Sequence, residues 1–508
     1  MRKTSVVALW LIALGACAAF QPQTREPQSS ASVDAVKALR LPTQARPLAY
    51  TLELSVLPKQ ERFTGRTQIS VELSAASDRV WLHGLDLHVS SVHAVVLGQF
   101  VRGTYRQENA DGLASLHFER ALPAGRHLLE LRYDAAFDRK LQGLFRVDTQ
   151  GESYAFTQFE ALSARRAFPC FDEPGFKTPF DIWLTVERAD VAVSNTRALS
   201  EEQAGAYKRI RFARTKPLPT YLVALAVGPL DIVESAPLPA REGRPEPVPL
   251  RGIATKQRGP MLGTALSMLA PMLSTLEDYF GVPYPYDKLD IVAVPDFGPG
   301  AMENAGLVTF RDSLLLLDPQ RASESERRRS AFVIAHELAH QWVGDLVTMR
   351  FWDDIWLNEA FATWLQFRVL GHLHPEFNAE LELVHDVQDA MLLDGRVTAR
   401  MIRQPITSTH DILNAFDGIT YAKGGGVIAM FERYLGGSVF QQGMQAYMRE
   451  HAFGHASTED LLQALSDAAG RDVTQPFLSF LTQPGVPLIE AQLSCERGQP
   501  AQLKLHQT

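Results

Sequence analysis

Apolar and polar residues alternate through the first half of the chain, from about residue 46 to residue 232. Tyr50, Leu52, Leu54 and Val56 are each followed by a polar residue or a turn, and the runs at 69–73, 129–133 and 180–186 repeat the alternation. Because successive side chains of a strand point to opposite faces, this period of two predicts an antiparallel β-domain with one solvated face. We place it at residues 46–235, ending at the proline-rich stretch 234–249.

The spacing of apolar residues becomes helical between about residue 250 and residue 485. Two short strands, 289–294 and 306–310, interrupt the helices. The predicted helices are 261–280, 323–345, 354–369, 378–393, 424–435 and 458–469. The fold class expected from this order is α+β and multidomain, with a mainly helical second domain at 250–485.

The last residues, 486–508, alternate again and predict two strands at 488–493 and 502–506. A two-stranded ribbon cannot bury a core alone. It therefore either packs on a neighbouring domain or begins a further β-domain.

The first residues have the pattern of a targeting segment. Arg2 and Lys3 precede an apolar run at 6–14 that is too short to span a bilayer, and Cys17 follows Leu14-Gly15-Ala16 as in a bacterial lipobox. Ordinary signal-peptide cleavage after a small residue fits as well. The sequence thus predicts a signal peptide at 1–17, a flexible tether at 18–45 and an exported bacterial protein. That protein would be periplasmic or an outer-membrane lipoprotein held to the membrane through Cys17.

Composition narrows the class of protein further. The 508 residues are 46% hydrophobic and 21% charged, as in ordinary globular proteins, and the net charge of −8 argues against a nucleic-acid partner. Beyond Cys17 only Cys170 and Cys495 remain, which is too few for a disulfide framework. We expect both to be free, buried thiols.

The strongest chemical signal is the run from Phe332 to Trp342. His336 and His340 lie four residues apart, so on a helix both imidazoles reach one metal ion, and Glu337 lies beside that ion as a candidate general base. Glu359 follows in a second helix-like run with buried character, where an unpaired carboxylate would be costly. Two histidines, one carboxylate and an open fourth position are typical of a catalytic site with one Zn²⁺ per chain.

A glycine-rich segment, 298–306, precedes the metal helix and leads into a strand. Glycines there permit close approach of a ligand to the backbone. On its own, the segment equally fits a turn before an edge strand.

Together these motifs resemble the gluzincin aminopeptidases, the family of aminopeptidase N. The resemblance covers residues 46–490 and implies a thermolysin-like catalytic domain whose C-terminal neighbour is a β-sandwich, of which residues 486–508 would be the beginning. The matching segments are GAMEN at 300–304, HExxH with a glutamate after eighteen residues, QFE at 158–160, RRAFPCFDEP at 165–174, TYLVA at 220–224 and ITYAKG at 419–424.

The resemblance also implies residue roles. His336, His340 and Glu359 would hold zinc, Glu337 would take a proton from the metal-activated water, and Tyr421 would stabilise the oxyanion. The substrate would be a peptide with a free N-terminal amine. Its implied binding residues are Gln158, Glu160, Gly300, Ala301, Met302, Glu303 and Asn304, with Glu160 and Glu303 on the amine.

Some positions depart from the family, and other functions remain open. Ala305 replaces a usual aromatic residue, Ala360 a common glycine, and 403–406 lacks a usual histidine. The family's C-terminal helical domain is also missing, which suggests a truncated sequence. The alternatives are a thermolysin-type endopeptidase, an epoxide hydrolase and a catalytically silent lipoprotein. An endopeptidase would gain nothing from carboxylates that trap an amine.

Overall fold

The computed structural model describes residues 39–507, so the predicted signal peptide, Cys17 and most of the predicted tether lie outside it. A ten-stranded sheet forms most of the N-terminal half. Its strands are β1 (Ala45–Ser55), β2 (Arg62–Leu73), β3 (Ser77–His83), β4 (His88–Val96), β5 (Gln99–Gln107), β6 (Leu113–Leu122), β7 (Gly125–Ala136), β10 (Phe180–Glu187), β12 (Ala198–Ala204) and β13 (Tyr207–Phe212). Every alternating run predicted from the sequence is a strand of this sheet.

The sheet is not wholly antiparallel. Its order is β12-β13-β10-β1-β2-β7-β4-β5-β6-β3, and β1 pairs with β10 in parallel, with Tyr50 opposite Phe180. Their rings stack at a centroid distance of 4.7 Å. The apolar alternation sets which face is buried, but it carries no information on strand direction, so the prediction missed the parallel pair.

A second sheet of four strands leads to the site. Its order is β11-β14-β9-β8. The strands are β8 (Gly143–Thr149), β9 (Glu152–Gln158), β11 (Val191–Ser194) and β14 (Leu225–Gly228). Because β9 ends at Gln158, it delivers the segment 158–161 to the boundary with the helical half.

A mixed sheet of five strands opens the second half. Its order is β15-β16-β17-β19-β18, with strands β15 (Leu230–Glu234), β16 (Leu250–Thr255), β17 (Leu289–Val294), β18 (Ala301–Met302) and β19 (Leu307–Arg311). The first of these strands lies before the proline-rich stretch but pairs with β16 beyond it. The sheet that precedes the metal helix therefore begins at residue 230, before the expected boundary.

Helices form the rest of the second half. They are α1 (Gly263–Phe280), α2 (Asp312–Leu315), α3 (Glu324–His340), α4 (Trp356–Leu373), α5 (Ala379–Asp394), α6 (Thr409–Asn414), α7 (Gly424–Leu435), α8 (Gly437–Glu450), α9 (Thr458–Ala469) and α10 (Thr474–Leu481). The sequence predicted six of these and missed four. Three of the missed helices are only four to eight residues long, and α8 begins with a glycine one residue after α7.

Helix α3 starts at the predicted cap and stops five residues early. Ser323 accepts a hydrogen bond from the amide of Glu326, whose carboxylate accepts one from the amide of Ser323. The helix ends at His340, and a turn follows in which Gly344 has φ +118°. Because the helix ends at His340, the turn that follows brings the carbonyl of Val343 to the ring of His340.

The two halves are joined by buried polar contacts. Asn195, after β11, donates to the carbonyl of Ala305 at 3.0 Å, and Lys177 donates to the carbonyls of Asp345 and Leu346 at 2.8 and 3.1 Å. Gly306 has φ +70°, and a Cβ there would lie 2.5 Å from the carbonyl oxygen of Asn195. The strand that precedes the metal helix is thus held by the N-terminal half.

The chain's final ribbon is exposed. Strands β22 (Ile489–Ser494) and β23 (Gln502–Gln507) pair only with each other, with short β20 (Thr348–Met349) and β21 (His455–Ala456) forming a separate pair. Cys170 and Cys495 are both free, as expected. Cys170 is buried, but Cys495 is exposed in this ribbon, which corrects the expectation that both are buried.

Candidate metal centre and substrate cleft

The three expected metal ligands meet where α3 packs against α4. The Nε2 atoms of His336 and His340 are 3.1 Å apart, and each lies 3.4 Å from Oε2 of Glu359. His340 and Glu359 are almost completely buried. One carboxylate oxygen and two imidazole nitrogens therefore converge on a single point.

The histidine tautomers show that this point suits a cation. Nδ1 of His340 donates to the carbonyl of Val343 at 3.0 Å, and Nδ1 of His336 donates to Oε1 of Gln366 at 3.1 Å. In neutral imidazoles both Nε2 atoms then carry lone pairs, so their 3.1 Å approach cannot be a hydrogen bond. Lone pairs aimed at one another beside a carboxylate are the donor set that Zn²⁺ prefers.

Glu359 stays ionised in spite of its burial. With no metal bound, the histidines can instead be protonated and pair with this carboxylate. Burial alone would raise the pKa of Glu359, but the charge of His340 and hydrogen bonds from both histidines then lower that pKa to about 2. The ligand carboxylate is therefore an anion at every ordinary pH, as metal binding requires.

Three further glutamates surround the ligands, and each has a buried oxygen without a hydrogen-bond partner. These atoms are Oε2 of Glu337, Oε1 of Glu303 and Oε1 of Glu160. Burial, with a further contribution from neighbouring carboxylates and against the influence of His340, raises the pKa of Glu337 and of Glu160 well above the usual range. The pKa of Glu303 rises to about 7, chiefly through burial and against the influence of His340. Unpartnered buried carboxyls of this kind indicate a place for a positively charged ligand.

Tyr421 lines the same cleft beside His336. Its ring stacks on that of His336 with centroids 6.0 Å apart and an interplanar angle of 17°. It belongs to a π-helical turn, Ile419–Lys423, that precedes α7. Burial and the charge of Glu359 raise the pKa of its hydroxyl, so the group is a proton donor at neutral pH.

The glycine-rich segment forms one wall of the cleft. Gly300 and Ala301 line it, and the Gly300 carbonyl accepts a hydrogen bond from the amide of Arg311 at 2.9 Å. Met302 is buried behind the wall, where its sulfur accepts a hydrogen bond from Nε2 of Gln158 at 3.5 Å. Asn304 points elsewhere: its amide donates to Thr309 at 3.2 Å, and the residue does not line the cleft.

The cleft has a volume of about 610 Å³ and includes residues that the sequence did not point to. Gln366 lies seven residues after Glu359 on α4, two helical turns along the same face, so helical spacing alone could have found it. Leu413 and Phe416, from α6 and the loop after it, carry no such signal. Asp386 of α5 also lines the cleft.

Comparisons with known proteins agree with this architecture. Residues 46–222 match the family model described as the peptidase M1 N-terminal domain, and residues 264–480 match the peptidase family M1 domain. The chain is 36% identical over 458 residues to aminopeptidase M1-B of Oryza sativa subsp. japonica, covering 89% of this chain and 51% of that protein. It is 34% identical over 466 residues to the puromycin-sensitive aminopeptidase of Caenorhabditis elegans, covering 90% and 48%. It is 32% identical over 466 residues to the glutamyl aminopeptidase of Bos taurus, covering 89% and 48%. The chain thus spans about half the length of these curated relatives.

The same comparisons contradict the predicted localisation. The relatives come from a plant, a nematode and cattle, and nothing in them points to a bacterial exported lipoprotein. The signal peptide and the membrane anchor at Cys17 have no support and are withdrawn. Among residues 39–507, no helix is long and apolar enough to cross a membrane.

Proposed function

Because this chain belongs to peptidase family M1, we propose that it is a zinc-dependent aminopeptidase that hydrolyses the first peptide bond of peptides with a free N-terminal amine. One observation carries the proposal. Three buried carboxyls with unpartnered oxygens, on Glu160, Glu303 and Glu337, lie beside two histidines and a carboxylate that converge on one point. The proposal applies to this chain, which spans half the length of its relatives.

His336, His340 and Glu359 are the residues that would hold the metal. Bound there, zinc would supply a Lewis acid that polarises the substrate carbonyl and lowers the pKa of water to about 7. The partners of the two Nδ1 atoms fix both rings in the tautomer that this role needs.

Glu337 is the proposed general base. Its carboxylate is buried next to His340, and Oε2 has no other partner in the described part of the chain. Burial raises the pKa of this carboxyl well above its usual range, and a more basic carboxylate is better suited to accept a proton from the attacking water and pass it to the leaving amine.

Glu160 and Glu303 are the proposed amine site. Oxygen atoms of Glu160, Glu303 and Glu359 lie within 4.8 Å of one another, so an ammonium group can contact Glu160 and Glu303 close to the metal point. An amine held this near to the metal places the first peptide bond, and no later one, at the reacting position.

Tyr421 is the proposed oxyanion donor. Its ring stacks on that of His336, and its hydroxyl keeps its proton at neutral pH. A neutral hydroxyl can donate to the oxygen on which negative charge develops, and a donor of this kind is worth about 3 kcal/mol in other hydrolases.

The test is hydrolysis of aminoacyl p-nitroanilides by the full chain loaded with zinc. We expect activity that is lost with a chelator and restored by zinc, and a fall of about 10²–10⁴-fold in kcat for Glu337→Gln. Zinc content should stay at one ion per chain in that variant. Glu324→Gln is the matched control, because Glu324 is an exposed glutamate on the same helix.

Acetylating the amine of the substrate distinguishes the exopeptidase from an endopeptidase. The amine site predicts that the acetylated substrate is not cleaved, because it lacks the charge that Glu160 and Glu303 bind. Equal rates on the free and the acetylated substrate would refute the aminopeptidase assignment and favour internal cleavage.

A further inference from the structure

Tyr421 lies in a turn whose backbone conformation is uncommon. Residues Ile419–Lys423 form one π-helical turn, which continues directly into α7. π turns are rare because their backbone packs less favourably than that of an α-helix, and they occur mostly as single turns within longer helices. Contacts from outside the turn are therefore needed to hold it, and there is one set of such contacts at each end.

Asp417 and Arg400 hold the start of the turn. Oδ1 of Asp417 accepts hydrogen bonds from the amides of Ile419 and Thr420 at 2.9 and 3.3 Å. The carbonyl of Asp417 accepts one from the amide of Tyr421 itself at 3.1 Å. Nε of Arg400 donates to Oδ2 of Asp417 at 3.1 Å, and Nη2 donates to Oδ1 of the same carboxylate. Nη2 also donates to the hydroxyl of Thr420 at 2.7 Å. A planar guanidinium bound through two nitrogens fixes the orientation of the carboxylate as well as its distance.

Lys423 and Asp394 hold the end of the turn. Nζ of Lys423 lies 2.7 Å from Oδ2 of Asp394 and donates to the carbonyl of Gln483 at 3.3 Å. The two paired side chains are only 13% and 3% exposed. Asp394 is the last residue of α5, where a carboxylate opposes the partial negative charge of the helix C-terminus. A buried carboxylate in that place needs a cation, and Lys423 is the cation that it contacts.

We propose that Arg400 and Lys423 are positioning residues that hold the hydroxyl of Tyr421 where the oxyanion of the substrate develops. This inference rests on the proposed aminopeptidase function. Tyr421 lies between the two ion pairs, lines the cleft and stacks on the ring of His336. Arg400 and Lys423 themselves lie outside the described lining of the cleft. Any effect that they have on catalysis should therefore pass through the turn that carries Tyr421.

The experiment is a double-mutant cycle on the zinc-loaded full chain with leucyl p-nitroanilide as substrate. Tyr421→Phe should lower kcat about 10²–10³-fold. Arg400→Met and Lys423→Met should each lower kcat about 10–100-fold, because a displacement of about 1 Å in a catalytic group can cost that much. KM should change less than about threefold, since the oxyanion forms only in the transition state. In the Tyr421→Phe background, either substitution should lower kcat by less than about twofold more, because the hydroxyl that it positions is already absent.

Arg403→Met is the matched control. Arg403 lies three residues after Arg400 and forms a similarly buried ion pair, in which its Nε lies 2.8 Å from Oδ1 of Asp354. Its ion-pair partners, Asp354 and Glu459, lie outside the Tyr421 turn. Arg403→Met should therefore lower Tm, as the loss of a buried pair does, but change kcat by less than about twofold.

Asp417 supplies milder variants in case Arg400→Met or Lys423→Met does not fold. Its side chain is 43% exposed, so its replacement disturbs little of the interior. Asp417→Asn keeps an oxygen that can accept from the amides of Ile419 and Thr420, and it should retain most of the wild-type kcat. Asp417→Ala loses that acceptor and should lower kcat about tenfold or more. Every variant is first checked for one zinc ion per chain.

The possible failures are distinguishable. A zinc-loaded wild type without activity refutes the proposed function, and a Tyr421→Phe variant with wild-type kcat refutes the role of Tyr421; the inference falls with either. If Tyr421→Phe is impaired but Arg400→Met, Lys423→Met and Asp417→Ala retain wild-type kcat, the positioning role is overturned. Equal losses of kcat in the Tyr421 and the Tyr421→Phe backgrounds would show a general structural effect, which also overturns it.

Discussion

Replacing Asn195 by alanine should both destabilise the protein and disturb the amine site. The Asn195 side chain is 2% exposed and makes three hydrogen bonds. Nδ2 donates to the carbonyls of Leu222 and Ala305 at 2.8 and 3.0 Å, and Oδ1 accepts from the amide of Ala224 at 2.9 Å. Ala305 is two residues from Glu303, so this one side chain ties the β-domain to the strand region that carries the proposed amine-binding carboxylate.

The expected loss in the free energy of unfolding follows from the hydrogen bonds that the substitution removes. Each buried hydrogen bond contributes about 1 kcal/mol net, and backbone groups left unpaired in the interior cost about 1–3 kcal/mol each. Because the structure around the alanine should relax in part, we expect Asn195→Ala to lower the free energy of unfolding by about 3–5 kcal/mol. For a domain of roughly 200 residues, 1 kcal/mol corresponds to about 2–4 °C in Tm, which gives a shift of roughly 10 °C.

The assay is differential scanning calorimetry, read at the first transition because a chain with several domains need not unfold in two states. Asn414→Ala is the control, because Asn414 is an exposed asparagine at the end of α6 and should change Tm by less than about 2 °C. Hydrogen exchange at 301–311 should also be faster in Asn195→Ala. A Tm within 2 °C of the wild type, with unchanged exchange in that segment, would refute the reasoning.

Three further predictions concern the metal, the pH dependence and the packing of helices. Gln366→Ala removes the acceptor that orients His336, so zinc affinity measured by chelator competition should fall about 10–100-fold, and Gln366→Glu should raise it. Burial raises the pKa of Glu173 to about 7 from 4.5, so the folded state binds more protons between these values and stability falls as pH rises through that window. Glu173→Gln should therefore gain up to about 3 kcal/mol relative to the wild type on going from pH 4 to pH 8, measured by denaturant unfolding. Gly424→Ala should lower stability by about 1–3 kcal/mol, because its Cβ would lie 2.6 Å from that of Ala360, next to the ligand Glu359.

Each of these three predictions can be contradicted by a specific result. Unchanged zinc affinity in Gln366→Ala would show that His336 is held without its Nδ1 partner. Parallel pH–stability curves for Glu173→Gln and the wild type would show that the carboxyl titrates normally in the folded state. For the helix contact, the double variant Gly424→Ala with Ala360→Gly should recover most of the loss, and failure to do so would contradict the proposed clash.

The general plan of the protein was readable from local patterns. Alternation at 50–56 and at 180–186 identified strands, and the predicted helix 424–435 has the same bounds as α7. These predictions succeed because a strand or helix that buries one face needs apolar residues at its own spacing, which can be read from the sequence. Membership of the aminopeptidase family was readable for a related reason, since its motifs are short runs of adjacent residues. The predicted localisation, which rested on the first 17 residues alone, is the part that the comparisons contradict.

Residue type and helical spacing were enough to predict the donor groups of the site: two histidines one turn apart, a glutamate between them and a carboxylate on the next helix. Which atoms complete the site depends on tertiary packing, because the contacts join segments that are distant along the chain. The carbonyl of Val343 reaches His340 because α3 stops early. Leu413 and the segment 158–161 line the same cleft, although some 250 residues separate them. Spacing along a helix specifies which side chains share a face, but what lies opposite that face depends on how the whole chain packs.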